Sequence, residues 1–276
     1  MPSKTFFRHV GFAGLLIVAL QAASMSQGRQ GTGSLTPHQL EIAKQQDRLA
    51  SGDAEERRDA LSRLRSMRHP AASRVALTAL TDASPIVRAT AVGSILSLPP
   101  AESSASLIPL LSDKDEFVRR ETAYALGRTR SRSAVPRLVE LLLTDKEDGV
   151  RGASAVALGE IGDSDAVIPL STILGSPIVV SGSKKKSKPR KEQNPFVLRS
   201  AARSLGQIGN SAAAPALIAV LGDEKAESDL RREVAIALGK IGAPSALPAL
   251  NAALTSVDPY LVAAASEAIQ RISRHN

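Results

Sequence analysis

Few side chains in this chain of 276 residues are suited to catalysis or metal binding. The absence of cysteine excludes disulfides, thiol nucleophiles and thiolate metal sites. The four histidines are His9, His38, His69 and His275, and none belongs to a His-Glu pair or a His-x-x-x-His motif. Metal sites on helices rely on such spacings because they place two ligands on one helix face. We therefore predict no catalytic residue, no metal and no cofactor.

A basic run is the strongest local signal for binding. It consists of Lys184, Lys185, Lys186, Lys188, Arg190 and Lys191. The formal net charge is +8, or +6 without Lys4 and Arg8, so these six charges account for nearly all of the excess. The run could bind anionic lipid, polysaccharide, nucleic acid or an acidic protein. It could equally be a solvated insertion without a partner. No aromatic residue is interleaved with it, so the rings that stack on single-stranded bases are missing.

Arginines also recur at regular intervals. The series comprises Arg57, Arg88, Arg119, Arg151, Arg199 and Arg231. Asp82, Asp113 and Asp145 each lie six residues before the next arginine of the series. One interpretation is a stripe that binds anions. The other, which we favour, is a set of hydrogen bonds and ion pairs that holds successive repeats in register.

The arginines belong to a repeated phrase of one apolar residue followed, in most copies, by arginine. Its second position falls at residues 57, 88, 119, 151, 198, 231 and 262, which gives steps of 31, 31, 32, 47, 33 and 31 residues. Eight positions after this residue, four copies carry a glycine that follows a leucine: Gly127, Gly159, Gly206 and Gly239. A period near 31 with two helical stretches per period indicates a stacked array of helical repeats.

Each repeat is predicted to contain two helices. The first carries apolar residues at helical spacing and ends at a glycine such as Gly162 or Gly242, where a left-handed cap suits glycine. The glycine inside this helix, such as Gly159, costs about 1 kcal/mol against alanine, so we expect it to admit a close neighbour. The second helix carries a proline near its start, where an amide donor can be spared. A separate leading helix is predicted from Pro37.

The apolar-Arg pair, the Leu-Gly pair, the second glycine and the following proline and leucine together resemble HEAT repeats. The segments 150–170 and 230–250 are the best copies, and they are similar to the short HEAT-like repeats of phycobilisome lyases. The resemblance covers residues 51–272 and implies antiparallel helix pairs in a right-handed superhelix, with first helices on the convex side and second helices on the concave side. We thus predict an all-α solenoid of about seven repeats over residues 36–276. Arg65 and Gln270 depart from the pattern, because they replace the internal glycine.

The step of 47 residues predicts an insertion of about 15 residues within segment 175–195. Proline, glycine and like charges there favour a loop over an extra helix. At the N-terminus, Lys4 and Arg8 precede the apolar run 10–20 and a group of small residues. This pattern is typical of a secretory signal peptide, and the run is too short for a membrane anchor. We predict a signal peptide at 1–24, a flexible segment at 25–35, and export to the periplasm or outside the cell.

The repeats and the lack of catalytic groups predict a non-catalytic, exported and monomeric scaffold. We expect it to bind a protein or peptide along its extended surface and to have no small-molecule substrate. Two alternatives remain. The resemblance to phycobilisome lyases implies a lyase-like or enzyme-accessory role, and the basic run 184–191 would suit an anion-binding module.

Overall fold

The computed structural model describes residues 35–175 and 193–275. Within these ranges the chain forms helices, turns and short 3-10 segments and no β-strand. The helices are α1 Pro37–Arg48, α2 Ala54–Ser66, α3 Pro70–Ala76, α4 Pro85–Ser94, α5 Pro100–Leu107, α6 Glu116–Thr129, α7 Val135–Thr144, α8 Asp148–Ile161, α9 Val167–Gly175, α10 Pro195–Ile208, α11 Ala214–Gly222, α12 Ser228–Ile241, α13 Leu247–Ala253 and α14 Pro259–His275. The predicted signal peptide and the basic run 184–191 lie outside the described residues.

The helices form a linear stack of pairs, which confirms the predicted α-solenoid. After the leading helix α1, the six pairs run from α2 and α3 to α12 and α13. The last helix, α14, has the position of a first helix in the repeat register and packs on α12 and α13. The described array thus has six helix pairs and a single closing helix, where the sequence predicted about seven repeats.

The ends of the helices follow from local sequence. Proline occupies the first turn of α3, α4 and α10, where its missing amide leaves no hydrogen bond unmade. The first helices of repeats 4, 5 and 6 end at Gly162, Gly209 and Gly242, all left-handed with φ between 73° and 75°. Glycine adopts this conformation without a steric penalty, as the sequence predicted for helix ends.

The core is aliphatic and runs continuously along the stack. Leu126, Leu158, Leu205 and Leu238 occupy the same position in four successive first helices, and all are 0% exposed. Each fully buried leucine stabilises the fold by roughly 1.5–3 kcal/mol relative to an exposed one. Buried alanines such as Ala157, Ala237 and Ala268 lie where neighbouring first helices approach each other closely.

The glycine that follows each of these leucines contacts the first helix of the next repeat. A Cβ atom at Gly127, Gly206 or Gly239 would lie 2.8 to 2.9 Å from a backbone Cα of that helix. The Cα atoms belong to Ala157, Ala237 and Ala268, respectively. No side chain fits at such distances unless the helices move apart. These glycines therefore set the spacing of the repeats.

The same contact continues across the insertion. Gly159 of α8 faces Ser204 of α10, whose Cβ would lie 2.7 Å from a Cβ built at the glycine. The Ser204 hydroxyl donates a hydrogen bond of 2.7 Å to the carbonyl oxygen of Ala155. Residues 176–194 separate α9 from α10, and α8 still packs directly against α10. The stack is thus uninterrupted at the point where the extra residues enter the sequence.

Candidate interaction surfaces

Three arginines of the predicted series bridge consecutive repeats through paired hydrogen bonds. The Nε and Nη2 atoms of Arg88 both donate to the carboxylate of Asp113 at 2.7 Å. Arg119 donates in the same way to Asp145 at 2.8 and 3.0 Å. Arg57 donates to Asp82 at 2.7 and 2.8 Å. Paired charge-assisted bonds of this kind fix orientation as well as distance.

The third guanidinium nitrogen connects each arginine to its own repeat. Nη1 of Arg88 donates to the carbonyl oxygen of Asp82 at 2.8 Å, and Nη1 of Arg119 donates to that of Asp113 at 2.9 Å. The aspartate six residues before an arginine therefore offers it a carbonyl group, while its carboxylate binds the arginine of the preceding repeat. We call the chain of contacts from Arg57 to Asp145 the arginine ladder.

The ladder changes the acidity of its carboxylates. The guanidinium of Arg57 holds the pKa of Asp82 below its ordinary value, although burial opposes this shift. At Asp113 burial is the largest influence and would raise the pKa, but hydrogen bonds from Arg88 and from the backbone N–H of Asp115 bring it below its ordinary value. Both aspartates are therefore held as carboxylates, and their donors are already engaged within the protein.

The ladder stops at the fourth repeat. Arg151 pairs with Asp148 on its own helix instead of reaching the next repeat. Among the described residues, its Nε atom is buried and has no hydrogen-bond partner. The neighbouring carboxylate oxygen of Asp148 accepts a bond of 3.0 Å from Asn194, just before α10. The insertion thus coincides with the break in the ladder.

In the repeats after the insertion, the arginine that contacts the next repeat lies one residue after the position that Arg57, Arg88 and Arg119 occupy in theirs. Leu198 has the position equivalent to Arg151, so Arg199 lies one residue further along the helix. Arg199 is 3.6 Å from Glu227, the residue that precedes α12. In the sixth repeat it is Arg232, rather than the predicted Arg231, that reaches the next repeat. Its bond to Asp258 measures 2.9 Å, whereas Arg231 donates to the carbonyl oxygen of Leu221 at 3.0 Å.

The second helices of repeats 4, 5 and 6 present a surface without charge. Helices α9, α11 and α13 contain no Asp, Glu, Lys or Arg, whereas α5 and α7 carry Glu102, Arg137 and Glu140. The side chain of Ile168 on α9 is 77% exposed. The other exposed residues of this set are Gly175 on α9, Pro215, Ala219 and Gly222 on α11, and Pro248, Asn251 and Ala252 on α13. We call this the uncharged face.

The structure brings two histidines together that lie 31 positions apart in the sequence. The rings of His38 and His69 meet edge to face with their centroids 5.0 Å apart. Nδ1 of His69 accepts a hydrogen bond of 3.1 Å from the N–H of Ala71 and so caps α3. His38 lies before the first copy of the repeated phrase, so the repeat pattern does not place it, and the contact depends on how α1 packs on the first repeat.

Neither a metal centre nor a membrane span is found in the part of the chain that the structure describes. Residues 35–175 and 193–275 contain no group of three or more His, Cys, Asp or Glu placed to hold a metal ion. Within the same ranges, no helix combines the length and the hydropathy that crossing a bilayer requires. A recess of about 90 Å³ lies between α12 and α14 beside Gly239, which is small against typical ligand pockets of 300–1,000 Å³.

Comparisons with known proteins agree with this architecture. The family model for HEAT repeats matches residues 104–179 and 190–270. The complex of CpcE and CpcF of phycocyanin lyase from Nostoc sp. PCC7120 is 23% identical, with a TM-score of 0.50 over 92% of this chain and 93% of that chain. The structure of YIBA_ECOLI is 18% identical, with a TM-score of 0.50 over 89% and 100%.

An engineered protein is 20% identical, with a TM-score of 0.53 over 84% of this chain and 68% of that chain. At these identities the likeness shows the fold alone. No curated protein matches the sequence.

Proposed function

The chain belongs to the HEAT-repeat family, and from this premise we propose that it is an exported, non-catalytic scaffold that binds a protein or peptide partner. The partner binds along the second helices of repeats 4 to 6. A stack of repeats buries each helix pair only against its neighbours, so one long side remains available for binding. Binding a partner along such a side requires no rearrangement of the core.

The uncharged face carries this proposal. Three consecutive second helices without any charged residue are unusual on a surface where the other second helices carry ion pairs, such as Arg137 with Glu140. Charged residues are depleted at the centres of protein interfaces because their desolvation is costly. The exposed side chain of Ile168 is an apolar anchor within this face. These features favour a protein or peptide over a charged small molecule.

The similarity to the CpcE and CpcF structure supports a protein partner, because that structure is a complex of two chains. The shared fold alone gives no reason to transfer lyase activity. The residue inventory supports a binding role instead, since the chain lacks cysteine and its histidines form no metal-binding motif. No observation among the described residues favours the lyase-like alternative.

Export is part of the proposal. It rests on Lys4 and Arg8, the apolar run 10–20 and the small residues that follow. An oxidising compartment is compatible with a chain that has no cysteine to protect. The partner would accordingly be another envelope or extracellular protein.

A photo-crosslinking amino acid at Ile168 or Ala252 tests the proposal in the native host. We expect one discrete cross-linked protein from both positions on the uncharged face. A probe at Lys240, on a first helix, is the matched control and should give no such product. In the strain with the probe at Ala252, the additional substitution Ile168→Arg should abolish the cross-linked product. The reason is that a guanidinium would have to be desolvated in the interface. Cross-links that are equally strong at Lys240, or none at any position, would refute the proposed function.

A further inference from the structure

The turns after two first helices, α2 and α6, contain an arginine in a conformation that favours glycine. Arg68 and Arg130 have φ of 48° and 52°, and among the described residues no other non-glycine residue has positive φ. They occupy the position where repeats 4 and 6 carry Gly162 and Gly242. A side chain in the left-handed region is disfavoured, so the occurrence of arginine at two such turns suggests a role for its side chain.

Three more arginines surround these two turns. Arg65 lies in the last turn of α2, Arg128 in the last turn of α6, and Arg132 just after the α6 turn. We call Arg65, Arg68, Arg128, Arg130 and Arg132 the arginine edge. All five are exposed. Among the described residues, Arg132 alone of the five forms an ion pair, with Asp163 at 3.2 Å.

The two halves of the edge lie on the same side of the stack. Helices α2, α4 and α6 pack in succession, so the turns after α2 and α6 flank the turn of the second repeat. With about 8–10 Å between packed helix axes, they are roughly 20 Å apart. The turn between them, residues 95–99, carries no charge. The nearest acidic residue of the second repeat is Glu102 in the first turn of α5, and it is paired with Arg74 at 3.5 Å. An anionic chain running along the turns therefore meets no unpaired like charge between the two groups of arginines.

The composition of the edge indicates what it binds. Every basic residue in it is arginine, whose planar fork pairs with carboxylates and phosphates through two hydrogen bonds. The ladder pair Arg88 and Asp113 shows this geometry with a carboxylate inside the same protein. The edge contains no Phe or Tyr to stack on bases, and the exposed large apolar residues of the described chain lie elsewhere. These features favour ionic contacts over base stacking or insertion into lipid, and the carboxylates of a protein chain fit the proposed protein partner.

The charge of the edge also limits its extent. At the fourth repeat the corresponding turn carries Glu160, Asp163 and Asp165, which would repel a carboxylate. The footprint therefore ends after the third repeat. A span of about 20 Å corresponds to at least six residues of extended chain.

We propose that the arginine edge binds an extended acidic segment of the partner protein. This inference rests on the proposed function, which it deepens by naming a second contact surface and the chemistry of the segment that occupies it. Binding should weaken as salt increases, because the contact is made between exposed charges.

The test uses a fluorescein-labelled octaglutamate peptide and measures anisotropy in 50 mM and 300 mM NaCl. The key variant is Arg68→Gly with Arg130→Gly. Glycine suits both backbone positions, so this variant should melt no lower than the parent protein. We expect it to bind octaglutamate at least fivefold more weakly. Lys146→Gln with Lys225→Gln removes two exposed charges elsewhere and should change affinity less than twofold.

The basic run 184–191 could bind the same peptide, so every measurement is repeated in a chain with its six basic residues replaced by glutamine. In that chain, the variant with Arg68→Gly and Arg130→Gly should bind octaglutamate more weakly than the chain without these two substitutions. If the two bind equally well, the inference is wrong. It is also wrong if the same substitutions weaken binding of labelled octathymidylate or of phosphatidylglycerol vesicles while octaglutamate does not bind. If probes on the uncharged face give no cross-linked protein while octaglutamate binding still depends on Arg68 and Arg130, the proposed function is refuted and the inference about the arginine edge is not.

Discussion

Arg88 and Asp113, 25 positions apart in the chain, are joined by two hydrogen bonds of 2.7 Å each. The side chains of both are about one-tenth exposed. The carbonyl oxygen of Asp113 accepts a further bond of 2.9 Å from Arg119. Asp113 thus connects the first helices of two successive repeats. Without Arg88, the carboxylate of Asp113 would keep only the hydrogen bond from the backbone N–H of Asp115 among the described residues.

The ladder makes a prediction about stability. Asp113→Asn retains the size of the side chain but removes its charge, and its amide group cannot accept both guanidinium bonds. We expect the free energy of unfolding to fall by about 2 kcal/mol, since bonds to charged groups contribute about 1.5–3 kcal/mol. The measurement is denaturant unfolding at pH 7, followed by circular dichroism.

The control is Asp229→Asn, at an exposed ion pair with Arg232. Surface pairs of this kind contribute at most about 1 kcal/mol, so the control should lose clearly less stability than the ladder variant. Equal losses in the two variants would show that the ladder does not connect the repeats energetically.

The pKa values of the ladder predict how stability depends on pH. The pKa of Asp82 and that of Asp113 are lower in the folded protein than their ordinary values. A lowered folded pKa contributes stability that is complete above the unfolded pKa, about 3.9, and is lost as the pH falls through the folded pKa. We therefore expect the melting temperature to drop steeply below about pH 4. Asp82→Asn should flatten this drop, and an unchanged slope would contradict the prediction.

The fold could be predicted well from the sequence because the same pattern of residues recurs in each repeat. Leu126, Leu158, Leu205 and Leu238 recur at a fixed offset, and the glycines after them recur with the same period. A regular stack is defined by contacts between neighbouring repeats, so periodicity contains most of the necessary information. For the same reason the breaks in the pattern were the hardest features to interpret.

Arg199 illustrates the limit. It belongs to the arginine series, although the repeat register gives the equivalent position to Leu198, and one residue turns a helical side chain by about 100°. The sequence shows this offset but not which partner Arg199 reaches. The left-handed arginines at 68 and 130 were not predicted either, because glycine at the equivalent turns suggested a uniform cap. Both differences arise where one repeat departs from its neighbours, and a pattern cannot predict the response of the backbone there.

At the glycines inside the first helices, we predict that substitution by alanine destabilises the protein, although alanine normally favours a helix. Alanine normally stabilises a helix interior by about 1 kcal/mol over glycine. At Gly239 the added Cβ would lie 2.8 Å from the Cα atom of Ala268, so the two helices would have to separate. We expect Gly239→Ala to lower the free energy of unfolding by about 1–2 kcal/mol, in the range for overpacked cores.

Gly149 provides the matched control, because a Cβ there would meet only the Arg120 side chain at an ordinary 3.6 Å. Gly149→Ala should leave the free energy of unfolding unchanged or increase it. A stabilising effect of alanine at Gly239 would mean that the spacing of α12 and α14 is not set by this contact.

Export predicts a specific mature N-terminus. Small residues occupy positions 22 and 24, as a signal-peptide cleavage site requires, and cleavage after Ser24 would satisfy it. N-terminal sequencing of the protein from its native host should therefore begin between Ala23 and Arg29. Replacing Leu15 and Leu16 with lysine should retain the full-length chain in the cytoplasm, because the apolar run would be interrupted. A protein that begins at Met1 in the soluble cytoplasmic fraction would contradict export.

The last prediction concerns the insertion between α9 and α10. The stack continues across it through Gly159 and Ser204, so the contacts that hold repeats 4 and 5 together come from residues on either side. Long surface insertions cost little, because loop-closure entropy increases only slowly with length. Deleting residues 181–191 should therefore change the melting temperature by no more than about 2 °C, measured by differential scanning calorimetry, and should leave the helix content per chain unchanged.

Ser204→Leu is the comparison for this deletion, because it leaves the insertion intact and enlarges the side chain that faces Gly159. It should lower the melting temperature clearly, since a larger residue would force α8 and α10 apart. If the deletion destabilises the protein more than Ser204→Leu does, the inserted residues themselves contribute to the packing of the fourth and fifth repeats. The continuity of the stack would then depend on them rather than on the contact between the two helices.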